Sequence, residues 1–287
     1  MAARRGPHKR GDKIGAMPTL SSSAQRRAGA RRVSRLVLLL AALCGISGGF
    51  DGAVRGLSRV LAVRGQVLPV TLDDVQLCAE MEDGTVVCGE SKIPASGGRI
   101  RRVFLEPVSC RPTAEALQAI READAVVMGP GSLYTSILPN LLVQGVADAI
   151  ARSGAVKIYV CNVMTQPGET DGYTASRHLR ALAEHAGRIV DYMIINTERI
   201  PGRLLGRYRQ EGAAPVEADL QAVRDMGVIP VTGRLVQEGE VVRHHPEKLA
   251  RLVMSLVYNG RRPERVVFLN NHIQQKQPGG GRGSAAL

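Results

Sequence analysis

The sequence has no tryptophan and only three phenylalanines and six tyrosines, so aromatic residues make up 3% of its 287 residues. Valine, leucine, isoleucine and alanine must therefore build the core, as they do where helices cover a parallel sheet. The basic residues are not interleaved with aromatic ones, and no nucleic-acid-binding motif occurs, so we expect no nucleic-acid partner. With 44% hydrophobic residues, the length suffices for one large domain or one domain plus an appendage.

The sequence also lacks a hydrophobic run long enough to span a bilayer. The unbroken apolar run Leu36–Cys44 follows a basic leader, which has two interpretations: a signal peptide or a core helix over Leu36–Ala42. The leader is long for a signal peptide, and no small-residue cleavage pattern follows the run. The core helix is therefore favoured, and we expect a cytoplasmic protein without a membrane span.

Cysteine is sparse, with five residues at positions 44, 78, 88, 110 and 161. No pair has the CxxC spacing of a metal or redox motif, and no histidine flanks them at the spacing of a metal site. We expect reduced, mostly buried thiols, as is usual in a cytosolic protein. Cys78 and Cys88 flank a predicted hairpin and could face each other, which is weak support for a pairing.

Charge is uneven along the chain, whose formal net charge is +12. Residues 1–35 hold ten basic residues and one acidic residue, and residues 258–287 hold five and one, whereas the stretch between them is nearly neutral. The ends are also low in apolar periodicity. We predict a disordered basic leader over 1–35, a folded domain over 36–258 and a flexible tail over 259–287.

Two kinds of pattern predict the fold. After two predicted helices, Leu36–Cys44 and Phe50–Val63, an alternating run over Val75–Met81 reaches Asp83-Gly84, which is a two-residue hairpin signature. Ile100–Leu105 reads as a further strand. We expect either an edge hairpin or a small β subdomain.

From residue 113 onward, helical and strand patterns alternate, which implies a parallel sheet covered on both faces. The sequence therefore predicts an α/β protein with a Rossmann-like, mostly parallel sheet and a β-hairpin insertion. The predicted helices are Ala114–Glu122, Leu138–Arg152, Thr174–His185, Ala218–Met226 and Pro246–Val257; the predicted strands are Ala125–Met128, Val156–Cys161, Ile189–Ile195 and Val228–Val231.

The most informative stretch is Gly129-Pro130-Gly131-Ser132, which lies between a predicted strand and a helical pattern. Backbone N–H groups at such a helix start favour a phosphate or another anion, and glycines let the ligand approach closely. The alternative is a tight turn with Ser132 as a plain N-cap. Four polar side chains close behind the turn favour the ligand site: Tyr134, Thr135, Ser136 and Asn140.

Three polar loops follow predicted strands: Gly129–Ser132, Asn162–Asp171 and Asn196-Thr197. The carboxyl ends of parallel strands share one edge of a sheet, where ligands bind. The amides of Asn162 and Gln166 could read a sugar or a base, with added contacts from Thr165 and Gly168. The alternative for Asn162 and Asn196 is that they satisfy turn backbones.

Other charged residues have weaker interpretations. Arg243, before the last helix, is as consistent with a phosphate or carboxylate contact as with a plain surface arginine. The adjacent His244 and His245 point in different directions, which disfavours a metal or acid–base role. Glu169 and Asp171 are expected to be solvated or capping rather than catalytic.

Two long strings, GPGSLYTSILPNLLV (129–143) and CNVMTQPGETDGYTASRHL (161–179), closely resemble the bacterial gluconeogenesis factor family, which belongs to a wider group related to 2-phospho-L-lactate transferase. Shorter similar strings are SRVLAVRGQVLPVT (58–71), EDGTVVCGES (82–91) and VVRHHPEKLA (241–250). The resemblance covers about residues 36–257. It implies a Rossmann-like three-layer sandwich in a cytoplasmic protein.

The resemblance also implies a role in cell shape and peptidoglycan synthesis during gluconeogenic growth, with UDP-N-acetylglucosamine as the type of ligand. We further expect a homodimer. Matched to the family's motifs, the implied ligand contacts are Gly129, Gly131, Ser132, Thr135, Asn140, Asn162, Thr165, Gln166 and Arg243.

An alternative within the same group is an enzyme that forms a phosphodiester with a deazaflavin, for which guanine nucleotide and magnesium would be required. No acidic pair is evident near the loops, so the sequence supports no catalytic or metal-binding residue. Whether the chain is an enzyme stays open.

The sequence departs from the family at its start, where neither a Gly-Gly-Gly-Thr-Gly loop nor an Asp-Asp-Gly-Gly-Ser-Ser-Gly segment occurs. Residues 1–35 match nothing in the family. We therefore expect the N-terminal strands of the sheet to be missing, and a third interpretation is an inactive truncated fragment.

Overall fold

The computed structural model describes residues 66–237, 239 and 241–259, with a few positions between 42 and 56. The predicted leader and tail lie outside the described residues, as do nearly all of the two predicted helices Leu36–Cys44 and Phe50–Val63. None of the helices in the described part of the chain combines the length and the apolar character that a membrane span requires.

A small antiparallel sheet opens the described fold. Its strands are β1 (Gln76–Met81), β2 (Val86–Cys88) and β3 (Ile100–Glu106), in the order β2-β1-β3, and a short helix, α1 (Lys92–Ala95), links β2 to β3. The predicted hairpin is confirmed, as a separate sheet rather than an edge of the parallel one. Its turn has three residues instead of two: the Met81 amide donates to the Thr85 carbonyl, with Gly84 in the left-handed region at φ 85°.

The second sheet is parallel, with four strands in sequential order, β4-β5-β6-β7. The strands are β4 (Ala125–Met128), β5 (Val156–Val160), β6 (Tyr192–Asn196) and β7 (Ile229–Gly233). The remaining helices are α2 (Ala114–Glu122), α3 (Leu138–Leu142), α4 (Val146–Arg152), α5 (Ala175–Ala186), α6 (Gly202–Gln210), α7 (Leu220–Asp225) and α8 (Pro246–Asn259). A π-helical turn, Leu133–Ile137, precedes α3, and a short antiparallel pair, β8 (Val236–Gln237) and β9 (Arg243–His244), precedes α8.

Alternating residues of β5 divide the core into two layers. Ile158 and Val160 face one side, where they pack with Leu252 and Leu256 of α8. Tyr159 faces the other side and joins a larger core that α5 and the inner face of the antiparallel sheet complete. Burial of these side chains on both faces stabilises the fold, and the arrangement confirms the predicted α/β fold with a parallel sheet between helices.

The structure corrects several predicted elements. The predicted helix Leu138–Arg152 is broken into α3 and α4, because the chain turns through Gly145 at φ 79°. Strand β6 starts at Tyr192, three residues after its predicted start at Ile189. The sequence does not predict helix α6. Only one of its residues, Leu204, is buried, and three arginines and a glutamine interrupt the apolar periodicity of a helix.

The prediction of reduced thiols is wrong for one pair. Cys78 of β1 lies directly opposite Cys88 of β2, and a disulfide joins them. The two cysteines flank the predicted hairpin, whose three-residue turn sets the register that brings them face to face. Cys110 and Cys161 are free and buried, as expected.

Candidate functional site

The first loop, Gly129–Ser132, joins β4 to the π-helical turn. Gly129 has φ 93°, and a Cβ there would lie 3.1 Å from the Val160 carbonyl oxygen, so a larger residue would strain the turn. At Gly131 a Cβ would lie 3.3 Å from the Ser136 Cβ. The side chain of Ser132 makes no capping hydrogen bond, which removes the plain N-cap interpretation.

The first and second loops are joined by a chain of side-chain hydrogen bonds. Gln166 Nε2 donates to Ser132 Oγ at 2.6 Å, and Asn162 Nδ2 donates to Gln166 Oε1 at 3.1 Å. This chain, which we call the amide bridge, consists of Ser132, Gln166 and Asn162 and spans the carboxyl ends of β4 and β5. The amide of Asn162 therefore does not serve a turn backbone.

Thr165, by contrast, holds the second loop in place. Its side chain is buried, and its Oγ1 accepts a hydrogen bond from the Ala214 amide at 2.9 Å. Its own amide donates to the Ala214 carbonyl at 2.7 Å. The structure thus gives Thr165 a positioning role beneath the loop.

Glu169 occupies part of the helix start where the sequence predicts a ligand anion. Thr135 Oγ1 donates to Glu169 Oε1 at 3.1 Å, and the carboxyl group is buried rather than solvated. Burial raises the pKa of Glu169, whereas the Thr135 hydroxyl and the amides of Tyr134 and Thr135 partly oppose the rise. The charge of Glu90 raises this pKa further. Two carboxyl groups therefore lie beside the loops, a pair that the sequence did not reveal.

The side chains of two predicted polar residues form hydrogen bonds with nearby backbone groups. Asn140 is exposed, and its Nδ2 donates to the Ser136 carbonyl at 2.7 Å. In the third loop, Asn196 Nδ2 donates to the Glu198 carbonyl, and its Oδ1 accepts from the amides of Glu198 and Leu235. Asn196 thus satisfies turn backbones, which was the alternative interpretation.

Arg243 lies in β9, three residues before α8, and its side chain is exposed. The neighbouring His244 has its pKa lowered by burial, partly opposed by a hydrogen bond to the Cys161 backbone. Since Cys161 precedes Asn162, this contact brings the Arg243 segment to the end of β5. The Val242 amide also donates to Tyr208 Oη at 3.0 Å, which ties the same segment to α6.

Tyr208 and Glu90 are contributors that sequence reasoning missed, and His244 was considered there only for a metal or acid–base role. Tyr208 lies in α6, where a run of arginines masks the helix, and Glu90 enters through the separate antiparallel sheet. The resemblance of residues 82–91 and 241–250 to a family covers Glu90 and His244, whereas no sequence signal pointed to Tyr208.

Among the described residues, the candidate metal cluster and a surface cavity both lie away from these loops. Within the described residues, a single group brings three ligating side chains within 4.8 Å of one another, and it is Cys78, Cys88 and Glu106 in the antiparallel sheet. A surface cavity of about 600 Å³ lies between α2 and α4 and contains none of the predicted site residues.

The chain is similar to a known protein family and to several characterised relatives. A profile of the family described as 2-phospho-L-lactate transferase CofD matches residues 30–236. The chain is 47% identical over 222 residues to the gluconeogenesis factor of Bacillus subtilis, covering 77% of this chain and 70% of that protein. It is 48% identical over 219 residues to the gluconeogenesis factor of Halalkalibacterium halodurans, covering 76% and 68%.

A solved structure is similar as well. The crystal structure of a UPF0052 family protein from Bacillus halodurans superposes with a TM-score of 0.74 at 48% identity, covering 76% of this chain and 71% of that one.

Proposed function

Because this chain belongs to the 2-phospho-L-lactate transferase CofD family and, within it, to the gluconeogenesis factors, we propose that it is a cytoplasmic regulatory factor that binds a nucleotide sugar. The proposed ligand is of the UDP-N-acetylglucosamine type, and the proposed role is cell-wall morphogenesis and cell shape during gluconeogenic growth. The names of the relatives support the link to gluconeogenesis.

The amide bridge is the observation that carries the proposal. It places two carboxamides and a hydroxyl at the shared edge of β4 and β5, next to the glycines of the first loop. Carboxamides pair a donor with an acceptor, which suits the edge of a uracil ring or the acetamido group of a sugar. On binding, polar groups of the ligand would replace the hydrogen bonds that Ser132, Gln166 and Asn162 now form with one another.

Arg243 supplies the charge that a diphosphate requires. Its guanidinium is exposed and belongs to a segment held at the end of β5 by His244 and at α6 by Tyr208. A planar guanidinium can hold phosphate oxygens through two parallel hydrogen bonds. The backbone at Gly129, Gly131 and Ser132 would receive the phosphates, while Thr135, Asn140 and Thr165 maintain the loops around them.

Calorimetric titration of the full chain with UDP-N-acetylglucosamine tests this function. We expect Arg243→Ala to weaken binding at least tenfold, since charge-assisted hydrogen bonds contribute about 1.5–3 kcal/mol. Asn162→Ala should weaken it by a smaller factor. Arg251→Ala, which removes another exposed arginine from α8, is the matched control and should bind normally. Absence of binding heat in a folded sample would remove the proposal, and UDP alone separates nucleotide recognition from sugar recognition.

The family description also names a transferase, which makes phosphodiester formation on a deazaflavin the second candidate. Such chemistry uses magnesium to offset phosphate charge. The described residues do not favour that metal at the loops, because burial raises the pKa of Glu169 and no group of three carboxylate, imidazole or thiol ligands among them lies there. Product formation from a deazaflavin acceptor, guanine nucleotide and magnesium would favour this candidate over the regulatory one.

A further inference from the structure

The outer face of the antiparallel sheet carries a cluster of three side chains that the loops do not use. Cys78 lies in the central strand β1, directly opposite Cys88 of β2. Glu106 is the last residue of β3, which pairs with the other edge of β1. Cys78 Sγ lies 3.7 Å from Glu106 Oε2, and one ligand atom from each of the three residues falls within 4.8 Å of the others. We call this group the Cys–Cys–Glu cluster.

The chemistry of the cluster matches one class of ion. Thiolate sulfur and carboxylate oxygen bind zinc at about 2.0–2.3 Å, so neighbouring ligand atoms of one tetrahedral ion lie roughly 3.5–4 Å apart. The 3.7 Å between Cys78 Sγ and Glu106 Oε2 is of this order, whereas the two sulfurs, which are bonded to each other here, would have to move apart on reduction. While the two sulfurs are bonded to each other, neither is a thiolate, so the disulfide form cannot bind the ion.

We propose that Cys78 and Cys88 are a reversible dithiol pair whose reduced form, together with Glu106, binds one zinc-like divalent ion. Three protein ligands leave a fourth tetrahedral position, which water would fill. In the cytoplasm proposed for this chain, disulfides are usually transient or redox-sensing, which agrees with a pair that opens and closes.

Opening the disulfide requires a dithiol reductant. Cys78 is fully buried and Cys88 is half-buried, so the attacking thiolate reaches Cys88 Sγ. A bond forms between that sulfur and the reductant, the Cys78–Cys88 bond breaks, and Cys78 leaves as a thiolate. The second thiol of the reductant then releases Cys88 as a thiolate and leaves as the reductant's own disulfide. The ion binds the two thiolates, and any protons held by the thiols pass to solvent.

The full chain tests the proposal directly. One sample is reduced with a phosphine and desalted without oxygen, and the other is kept oxidised; both are titrated with zinc against a chromophoric chelator. We expect one tight zinc equivalent in the reduced sample that the oxidised sample lacks. Cobalt in place of zinc should give a thiolate charge-transfer band in the reduced sample.

Three variants make the result specific. Cys88→Ser should lose the tight equivalent although the other cysteines remain, and Glu106→Gln should weaken zinc binding at least tenfold. Glu82→Gln, which changes an exposed carboxylate in the turn of the same hairpin, should leave it unchanged. Equal zinc binding by folded oxidised and reduced protein, or an unchanged affinity in Glu106→Gln, would overturn the proposal. Titration with UDP-N-acetylglucosamine reports on the loops separately, so either proposal can fail alone.

Discussion

Glu169 is the residue whose setting differs most from its predicted one. The sequence places it in a polar loop, yet the side chain is 8% exposed and one of its oxygens is buried without a hydrogen-bond partner among the described residues. Backbone amides at the helix start lower its pKa, but burial and the nearby Glu90 raise it more. A protein carboxyl group thus partly fills the position that a ligand anion would take.

The stability of the protein should reflect this cost. A carboxyl group whose pKa is raised by folding stabilises the fold at low pH, and that contribution is lost as the pH rises through the raised pKa. At neutral pH, Glu169→Gln should therefore stabilise the protein, because glutamine places no charge in this buried position. The gain should vanish as the pH falls below about 4, where glutamic acid is protonated even when unfolded.

Urea unfolding of wild type and Glu169→Gln at several pH values measures this difference. The exposed Glu82→Gln variant serves as the control and should show no such dependence. A glutamine variant less stable than wild type at neutral pH would contradict the assignment of a net cost to the buried carboxylate.

At the scale of elements, helix α5 illustrates how a local signal sets a boundary. Thr174 precedes the helix with an extended backbone, and its Oγ1 accepts a hydrogen bond from the Arg177 amide at 3.4 Å. Thr174→Ala should destabilise the protein by about 1 kcal/mol, the usual effect of losing such a cap. Thr174→Ser should retain most of the stability, and thermal unfolding compares the two. Equal losses in both variants would mean that the methyl group, and not the hydroxyl, matters.

Elements with strong local signals were predicted to the residue, and those without were missed. Ala114–Glu122 and Ala125–Met128 match α2 and β4, because a capped amphipathic helix and an apolar strand each carry their own pattern. Helix α6 and the pair β8 and β9 form through contacts made elsewhere in the chain, such as that between Tyr208 and Val242. Tertiary contacts stabilise these elements, so no local sequence pattern predicts them.

The candidate site follows the same division. Strand ends predicted that the loops of β4 and β5 would meet, and the hydrogen bond between Gln166 and Ser132 confirms that meeting. The side chains of Asn140 and Thr165 form hydrogen bonds within the protein. Their partners come together only in the folded chain, so the sequence does not show that these groups have a structural role. Their roles toward a ligand stay predictions.

At the scale of the whole molecule, the antiparallel sheet and its helix α1 form one unit and the parallel sheet with its loops the other, and α1 contacts the second loop. Gly168 has φ 78°, and a Cβ there would collide with the Pro94 carbonyl of α1. Since α1 follows β2 closely, this contact connects the strand that carries Cys88 to the loop that carries Gln166 and Glu169. The absence of a side chain at residue 168 lets the two units approach so closely.

A pair of glycine variants tests how much this contact contributes. Gly172 has a similar φ of 68° but open space around it, so Gly172→Ala measures the cost of a left-handed alanine alone, about 1–2 kcal/mol. Gly168→Ala should cost at least about 1 kcal/mol more, because the backbone of α1 must also shift. Chemical denaturation gives both values, and equal losses would show that the two units are not tightly apposed.

The lack of tryptophan, noted for its effect on the core, also fixes what the protein emits under ultraviolet excitation. Its fluorescence comes from six tyrosines, of which Tyr134 and Tyr159 are enclosed in the interior beside the loops, while Tyr208 touches the segment bearing Arg243. Occupation of the loops by a nucleotide can therefore be followed through the chain's own emission, with no dye attached. A single tryptophan introduced by mutation would stand out against a background free of that signal.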